Sequence, residues 1–184
     1  MKAFLFLATG FEEVEALSPA DMLKRVGVEV VSVSITGKKE VTSSHNVTIT
    51  ADALFWETDF SGGDLLILPG GMPGSKNLAA FQPFDSLFAQ YLAKGKYLAA
   101  ICAAPMVFGG KGLLDKHDAC CYPGFESELK GANVKYDNVT VSGQFITARG
   151  AGVSVEFGLK LVEVLQGKAV ADKLADQVIF TYKK

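Results

Sequence analysis

Cys102 is the residue whose type and position most clearly indicate chemistry. It follows the apolar run 97–101 and precedes two alanines and Pro105. A strand-to-helix turn at this point would expose the sulfur and direct following backbone N–H groups, such as that of Ala103, at the same space. Those donors and the positive end of the helix favour thiolate over thiol. The sequence therefore predicts a nucleophile at Cys102, and the alternative is an inert cysteine packed in the core.

A second candidate segment is the glycine-rich stretch PGGMPG at 69–74, which follows the apolar run 65–68. Its glycines allow the backbone to approach a ligand closely. The N–H of Gly71 could then join that of Ala103 as an oxyanion hole for a reacting carbonyl. The alternative interpretation is a tight turn without a ligand.

Three glutamates follow the first apolar run of the chain. For Glu12 and Glu13, the expected role is a solvated helix start stabilised by the helix dipole. Glu15 lies among apolar residues just before a break expected at Ser18-Pro19, so we expect it to turn inward. A desolvated carboxyl beside a thiolate has a raised pKa. It could donate a hydrogen bond to sulfur or carry a proton to a substrate.

The elements that must position these residues alternate along the chain. Apolar runs bounded by glycine, proline or polar residues predict strands buried on both faces, at 3–8, 28–35, 47–50, 64–69 and 97–102. Helical patterns are predicted at 19–26, 84–94, 154–167 and 170–180, with strand segments of an antiparallel hairpin within 134–148. The alternation predicts an α/β fold with a mostly parallel sheet covered on both sides. Ligands bind outside the carboxyl ends of such strands, so the three candidate segments are expected at one rim.

Composition narrows the function classes. The 184 residues predict a single domain, 1–184, with 49% hydrophobic residues and a formal net charge of -2. That charge gives no reason to expect nucleic acid as a partner. No run is long enough for a membrane helix, and the start is interpreted as a first strand rather than a secretory signal. Three cysteines cannot all pair within one chain, so a cytoplasmic location is expected.

Four segments resemble the ThiJ/PfpI superfamily, on the branch of the parkinsonism-associated protein deglycase and its YajL-like bacterial relatives. They are FEEVEALSPADMLKRVGVEV, LLILPGGMPGSKNL, AAICAAP and TARGAGVSVEFGLKLVEVLQGK, in family order and at family spacing. The resemblance spans nearly the whole chain. It implies a flavodoxin-like three-layer sandwich and a homodimer.

The same resemblance implies roles for individual residues. Cys102 corresponds to an easily oxidised cysteine, Glu15 to a protonated glutamate that hydrogen-bonds it, and Gly71 and Ala103 to backbone oxyanion donors. Members of the branch are described as glyoxalases that turn methylglyoxal into lactate without glutathione, as deglycases, and as redox-responsive chaperones. No cofactor is implied.

The sequence departs from the family pattern at two positions. Tyr122 stands where many enzymes of the branch carry a histidine, and a tyrosine with a pKa near 10 is a poor general base. Of the arginines that hold an anion near the cysteine, Arg25 is kept and His45 replaces another. His45 could bind an anion or transfer protons, or it could be an exposed loop residue. Arg149 and the glycine turn that follows it are implied to belong to the pocket or dimer surround.

Other candidate sites are disfavoured by the sequence. The peptidase branch has a histidine directly after the cysteine, whereas this chain has Ala103, so a cysteine peptidase is less probable than the alternatives below. Cys120 and Cys121 lack a second ligand pair at zinc-like spacing, so strand packing is expected rather than a metal site. His117 is expected to be structural.

Two hypotheses follow. In the first, Cys102 adds to a small 2-oxoaldehyde or its glycation adduct, the N–H groups hold the oxyanion, and Glu15 moves the proton. In the second, the protein is a redox sensor or redox-regulated chaperone in which Cys102 is oxidised to the sulfinate, with Glu15 hydrogen-bonded to it and Arg25 nearby. Tyr122 in place of histidine favours the second, and the Glu15–Cys102 pair supports both.

Overall fold

The computed structural model describes residues 1–181, so the last three positions of the predicted domain lie outside the described residues. Eleven strands occur in this part of the chain. They are β1 (Lys2–Leu7), β2 (Glu29–Ser34), β3 (Glu40–Thr42), β4 (Thr48–Thr50), β5 (Ala53–Leu54), β6 (Leu65–Leu68), β7 (Tyr97–Ile101), β8 (Asp118–Ala119), β9 (Asn133–Val134), β10 (Val139–Ser142) and β11 (Phe145–Ala148).

Seven of these strands form the central sheet, in the order β10-β11-β7-β6-β1-β2-β5. Every neighbouring pair is parallel except β10 and β11, which form the predicted antiparallel hairpin. The middle strands are apolar along their whole length because both of their faces are covered. The prediction of a mostly parallel sheet is confirmed.

Six α-helices cover the two faces. They are α1 (Glu13–Arg25), α2 (Gly74–Ala80), α3 (Phe84–Ala93), α4 (Pro105–Gly110), α5 (Ser154–Gln166) and α6 (Lys168–Gln177). Alternate residues of β1 separate two cores: Leu5 packs with α1, α5 and α6, whereas Phe6 packs with α2, α3 and α4. Within residues 1–181, no helix is long and apolar enough to cross a membrane.

The first helix begins six residues before the predicted start, so the predicted break at Ser18-Pro19 was wrong. The Glu12 side chain caps the helix by accepting from the N–H of Glu15 at 2.7 Å. Pro19 lies inside the helix and cannot donate to the carbonyl of Glu15. Its backbone packs so closely on α5 that a Cβ at Gly158 would lie 2.9 Å from its Cα. Tertiary packing therefore outweighs the local helix-breaking tendency of proline.

Smaller elements also differ from the prediction. The segment 47–50 is not a doubly buried strand of the sheet, because β4 pairs with β3 in a separate, largely exposed hairpin. In the segment 134–138, only Val134 is in a strand, as the end of the two-residue β9, which pairs in parallel with β8. Helix α2 was not predicted, and α6 ends before Phe180.

Candidate active site

The ends of three neighbouring strands bring the predicted site residues together. Strands β7, β6 and β1 are adjacent and parallel, so their carboxyl ends share one edge of the sheet. The chain leaves β1 toward β2 on one side and continues from β6 to β7 on the other. A reversal of strand order of this kind leaves a crevice at the sheet edge. Glu15 follows β1, Gly71 follows β6 and Cys102 follows β7.

Cys102 occupies a sharp turn directly after β7. Its φ of 65° lies in the left-handed region, which is uncommon for a residue with a side chain and costs about 1–3 kcal/mol. Two backbone hydrogen bonds of 2.8 Å hold this conformation: the N–H of Cys102 donates to the carbonyl of Ala148, and its carbonyl accepts from the N–H of Tyr122. The residue is partly exposed. The backbone thus presents the sulfur between β7 and α4.

Glu15 points into the protein, as its position in the sequence suggested, and only 1% of it is exposed. Its Oε2 accepts from the N–H of Gly70 at 3.0 Å, and its carboxyl hydrogen-bonds the side chain of Cys102. A Cβ at Gly70 would clash with Oε2 and lie 2.6 Å from the Cβ of Cys102. Only a glycine therefore leaves room for the carboxyl and the sulfur to meet.

A negative charge on the side chain of Glu15 opposes the ionisation of Cys102. Burial raises the pKa of Glu15 to about 7, and the charge of Glu12 adds to this, against hydrogen bonds from Cys102 and Gly70. Burial also raises the pKa of Cys102 to about 12, and the negative charge and hydrogen bond of Glu15 act in the same direction. Because the two groups are coupled, the loss of one proton from the pair makes the loss of the second less favourable.

The pKa of Cys102 thus moves in the direction opposite to the one that the sequence suggested. The N–H groups of Ala103 and Gly71 do lower it, as expected. Burial and Glu15 outweigh them. Thiolate at neutral pH therefore depends on Glu15 holding the proton.

Gly71 and Ala103 contribute backbone donors on the same side of the turn, because both amides hydrogen-bond Cys102. Gly71 has a φ of 86°, and a Cβ there would lie 2.5 Å from the backbone nitrogen of Glu12. Glycine is therefore required by both conformation and space. Two N–H groups beside a nucleophilic sulfur are suitably placed to stabilise an oxyanion that forms on attack. That role for Gly71 and Ala103 stays a prediction.

Tyr122 also lies at this site. Its ring is about half exposed, at 50%, and a Cβ at Gly150 would lie 3.2 Å from it and 3.9 Å from Oε1 of Glu15. The ring is one wall of a cavity of about 350 Å³. The lining residues are Tyr122, Pro123, Asn138, Arg149, Gly150, Ala151, Gly152 and Val153. The cavity wall at Gly150 therefore lies close to the carboxyl of Glu15.

Arg25 is not brought to this site. It lies ten residues beyond Glu15 on the same helix, which corresponds to about 15 Å along the axis. Its Nε forms an ion pair of 2.7 Å with Asp21. Within one chain, Arg25 therefore lies away from Cys102, and a role for it beside an oxidised cysteine stays a prediction.

His45 lies beside the start of α1, with 66% of its side chain exposed. Its Nδ1 is 3.0 Å from Oε1 of Glu13, and this contact helps to lower the pKa of Glu13. Together with Glu12, the two residues place one ligand atom each within 4.8 Å of the others. Of the three residues, His45 is exposed, whereas Glu12 and Glu13 are partly buried. Roles for His45 in anion binding or proton transfer stay predictions.

The other two cysteines are core residues, as expected. Cys120 is fully buried, and its Sγ donates to the carbonyl of Thr147 at 3.2 Å. Cys121 is 3% exposed, and burial raises its pKa to about 12. His117 packs against Phe145 with ring centres 4.8 Å apart and hydrogen-bonds Ser142. Of the three cysteines, only Cys102 is partly exposed.

One functional group was missed by the sequence interpretation. The N–H of Gly70 holds Glu15 in place, whereas the glycine pair was interpreted only as a backbone approach to ligand. The two consecutive glycines were a signal for this contact. The turn itself needs glycine only at Gly71, which has a positive φ, so the glycine at position 70 required another explanation.

Comparison with known proteins assigns the family. The sequence model of the DJ-1/PfpI family matches residues 1–164. The chain belongs to the DJ-1/PfpI family. The resemblance carried by the four sequence segments is thereby confirmed.

The relatives are of two lengths. Protein DJ-1 homolog B of Arabidopsis thaliana is 34% identical over 97% of this chain, but the chain spans only 41% of that relative. Glutathione-independent glyoxalase DJR-1.2 of Caenorhabditis elegans is 31% identical, over 89% of this chain and 87% of the relative. The solved structure of oxidized Toxoplasma gondii DJ-1 has a TM-score of 0.94 and 35% identity, over 98% of this chain and 99% of that one. This similarity confirms the flavodoxin-like α/β fold.

Proposed function

We propose that the protein is a cysteine-dependent enzyme that converts small 2-oxoaldehydes, or their glycation adducts, without a thiol cofactor. The observation that carries the proposal is the buried carboxyl of Glu15 hydrogen-bonded to the side chain of Cys102. The amides of Gly71 and Ala103 at the same sulfur support it. So does the name of the Caenorhabditis elegans relative, a glutathione-independent glyoxalase.

The reaction begins when the sulfur of Cys102 adds to the aldehyde carbon. A C–S bond forms, and the electron pair of the C=O bond moves to oxygen. The Gly71 and Ala103 N–H groups stabilise the oxyanion, which then takes up the proton of Glu15 and leaves Glu15 as a carboxylate. The product of this step is a hemithioacetal. Protonated Glu15 is needed here because it leaves the negative charge on the sulfur.

Glu15 then moves a proton between the two carbons. Its carboxylate removes the hydrogen from the former aldehyde carbon to give an enediol, and the proton returns to the neighbouring carbon. The first carbon is oxidised and the second is reduced, so no external oxidant is consumed. The resulting thioester is hydrolysed by one water, which releases a 2-hydroxy acid and regenerates Cys102. A carboxyl with a pKa of about 7 is suited to both proton steps at neutral pH.

The test is turnover of methylglyoxal to lactate by the wild type, Cys102→Ala and Glu15→Gln. Loss of the nucleophile is expected to abolish turnover, and Glu15→Gln is expected to lower kcat by about 10²–10⁴-fold. Cys121→Ala is the matched cysteine control, and Glu29→Gln, at the exposed first residue of β2, is the matched carboxylate control. Turnover that survives in Cys102→Ala would overturn the proposal.

A redox sensor, or a chaperone regulated by oxidation, is the second candidate. It is favoured by the partial exposure of Cys102, since the other two cysteines are buried. The related Toxoplasma gondii structure is also described as oxidized. Peroxide would transfer one oxygen to the thiolate and a second peroxide another, giving a sulfinate, with water as the reduced product each time. Protonated Glu15 would donate to a sulfinate oxygen.

Mass spectrometry after graded peroxide tests this second candidate. It predicts a stable product with two added oxygens at Cys102 and negligible methylglyoxal turnover. Oxidation of Cys120 or Cys121 while Cys102 resists would exclude it. A cytoplasmic homodimer is the setting we propose, because the family resemblance implies a dimer and the three cysteines are unpaired. Sedimentation of the full chain tests the dimer.

A further inference from the structure

The cavity lined by Tyr122 and Gly150 carries a positive charge that the proposed reaction does not use. Arg149 directly follows β11, lines the cavity and is partly buried. Its Nη1 donates to the carbonyl of Tyr136 at 3.4 Å, which is long for a hydrogen bond. Among residues 1–181, Arg149 forms no ion pair with a carboxylate.

The surroundings of Arg149 leave this charge without a compensating anion. Glu156, on the helix that begins after the glycine turn, accepts from the side-chain amide of Asn138 at 2.9 Å. The charge of Arg149 acts on the site region, because it lowers the pKa of Cys121 against the larger opposite effect of burial. A guanidinium stays protonated at neutral pH, and its planar set of N–H donors matches a carboxylate.

Two residues that line the cavity with Arg149 lie near the reacting groups. One is Gly150, where a Cβ would lie 3.2 Å from the ring of Tyr122 and 3.9 Å from Oε1 of Glu15. The other is Tyr122, whose backbone N–H donates to the carbonyl of Cys102. The guanidinium of Arg149 therefore belongs to a cavity whose wall lies against the Glu15–Cys102 pair.

We infer that Arg149 binds an anionic group at the far end of the substrate. The preferred substrate is then a 2-oxoaldehyde that carries a carboxylate on a short carbon chain, rather than methylglyoxal. Arg149 determines specificity and takes no part in bond making. This inference rests on the proposed function and deepens it by naming the substrate class.

A turnover comparison is the first test. The substrates are 4,5-dioxopentanoate, which is a carboxylate-bearing 2-oxoaldehyde, and neutral methylglyoxal. The ratio of their kcat/KM values is expected to fall by about tenfold in Arg149→Gln, mainly through the KM of the anionic substrate, and by less in Arg149→Lys. Lys130→Gln removes an exposed positive charge outside the cavity and should leave the ratio unchanged. A ratio in Arg149→Gln equal to that of the wild type would overturn the inference.

A binding test separates failure of the inference from failure of the proposed function. The unreactive anion 4-oxopentanoate, with neutral 2-pentanone as its matched control, is tested for protection of Cys102 against alkylation by iodoacetamide. Protection by the anion alone, lost in Arg149→Gln, supports the subsite even if no form turns over methylglyoxal. Equal protection by the two compounds, or protection that survives in Arg149→Gln, overturns it. Thermal unfolding of each variant checks that the fold is intact.

Discussion

Replacement of Glu15 by glutamine is expected to change how the reactivity of Cys102 depends on pH. Below its pKa, the fraction of Cys102 that is present as thiolate increases about tenfold for each unit by which the pH rises. Once Glu15 ionises, near pH 7, its charge opposes a second charge on the sulfur. Above pH 7, the increase in the thiolate fraction is therefore cancelled by the decrease in the fraction of Glu15 that is protonated. The alkylation rate of the wild type should level off near pH 7.

Glutamine reproduces the protonated form of Glu15 at every pH, because it is neutral and retains N–H donors for the sulfur. The variant and the wild type should therefore react at similar rates below pH 7. Above pH 7, the alkylation rate of the variant should continue to rise. The variant should therefore react about tenfold faster than the wild type at pH 8 and about a hundredfold faster at pH 9. A tenfold difference corresponds to about 1.4 kcal/mol of thiolate stabilisation.

The assay is the second-order rate of iodoacetamide alkylation, followed by mass spectrometry of the peptide that contains Cys102. Glu29→Gln serves as the control, since this exposed carboxylate pairs with Lys2 on the outside of the sheet. Rates that rise in parallel through pH 7 to pH 9 in the wild type and Glu15→Gln would refute the coupling between the two side chains.

Three further predictions follow from the same geometry. Gly70→Ala should separate Glu15 from Cys102, because the added methyl overlaps both, and should lower the free energy of unfolding by about 1–3 kcal/mol; urea unfolding and a lost plateau in the alkylation profile check this. The raised pKa of Glu15 means that the folded protein binds more protons than the unfolded chain between its ordinary value of 4.5 and about 7. Stability should therefore fall as pH rises through that window, by about 3 kcal/mol, in the wild type but not in Glu15→Gln; an equal fall in both would exclude a raised pKa at Glu15. Tyr122→His should raise methylglyoxal turnover several-fold near neutral pH, because an imidazole with a pKa of about 6.5 adds a proton carrier at the cavity wall; unchanged kcat would show that the position takes no part in proton transfer.

Local patterns were sufficient to predict the layered fold and the meeting of Glu15, Gly71 and Cys102. The apolar runs of β1, β6 and β7 can be recognised in the sequence because strands that are buried on both faces carry few polar side chains. Parallel strands place their carboxyl ends at one edge, so residues that follow them converge even when they are far apart in the chain. By contrast, β4 is rich in β-branched residues, as strands often are, but it forms a hairpin outside the sheet.

Arg25 was assigned to the site by the family resemblance, and the predicted helix start at Pro19 left its distance from Glu15 open. In the structure, both lie on one continuous helix, and ten residues of helix hold them about 15 Å apart along the axis. The packing that keeps the helix continuous involves Gly158, more than a hundred residues away in sequence, so no local pattern could reveal it.

The direction of the pKa shift at Cys102 could not be predicted from the sequence, for a related reason. The donors that favour thiolate are neighbours of Cys102 or lie on a recognisable glycine turn, whereas the opposing effects come from burial and from a carboxyl on another element. Burial is the larger influence on both groups. Burial, together with the charge on Glu15, therefore controls the ionisation of Cys102 more strongly than the donors of the turn do. A substrate or oxidant that excludes water from the crevice would strengthen that control, because a second charge becomes still more costly as solvent is removed.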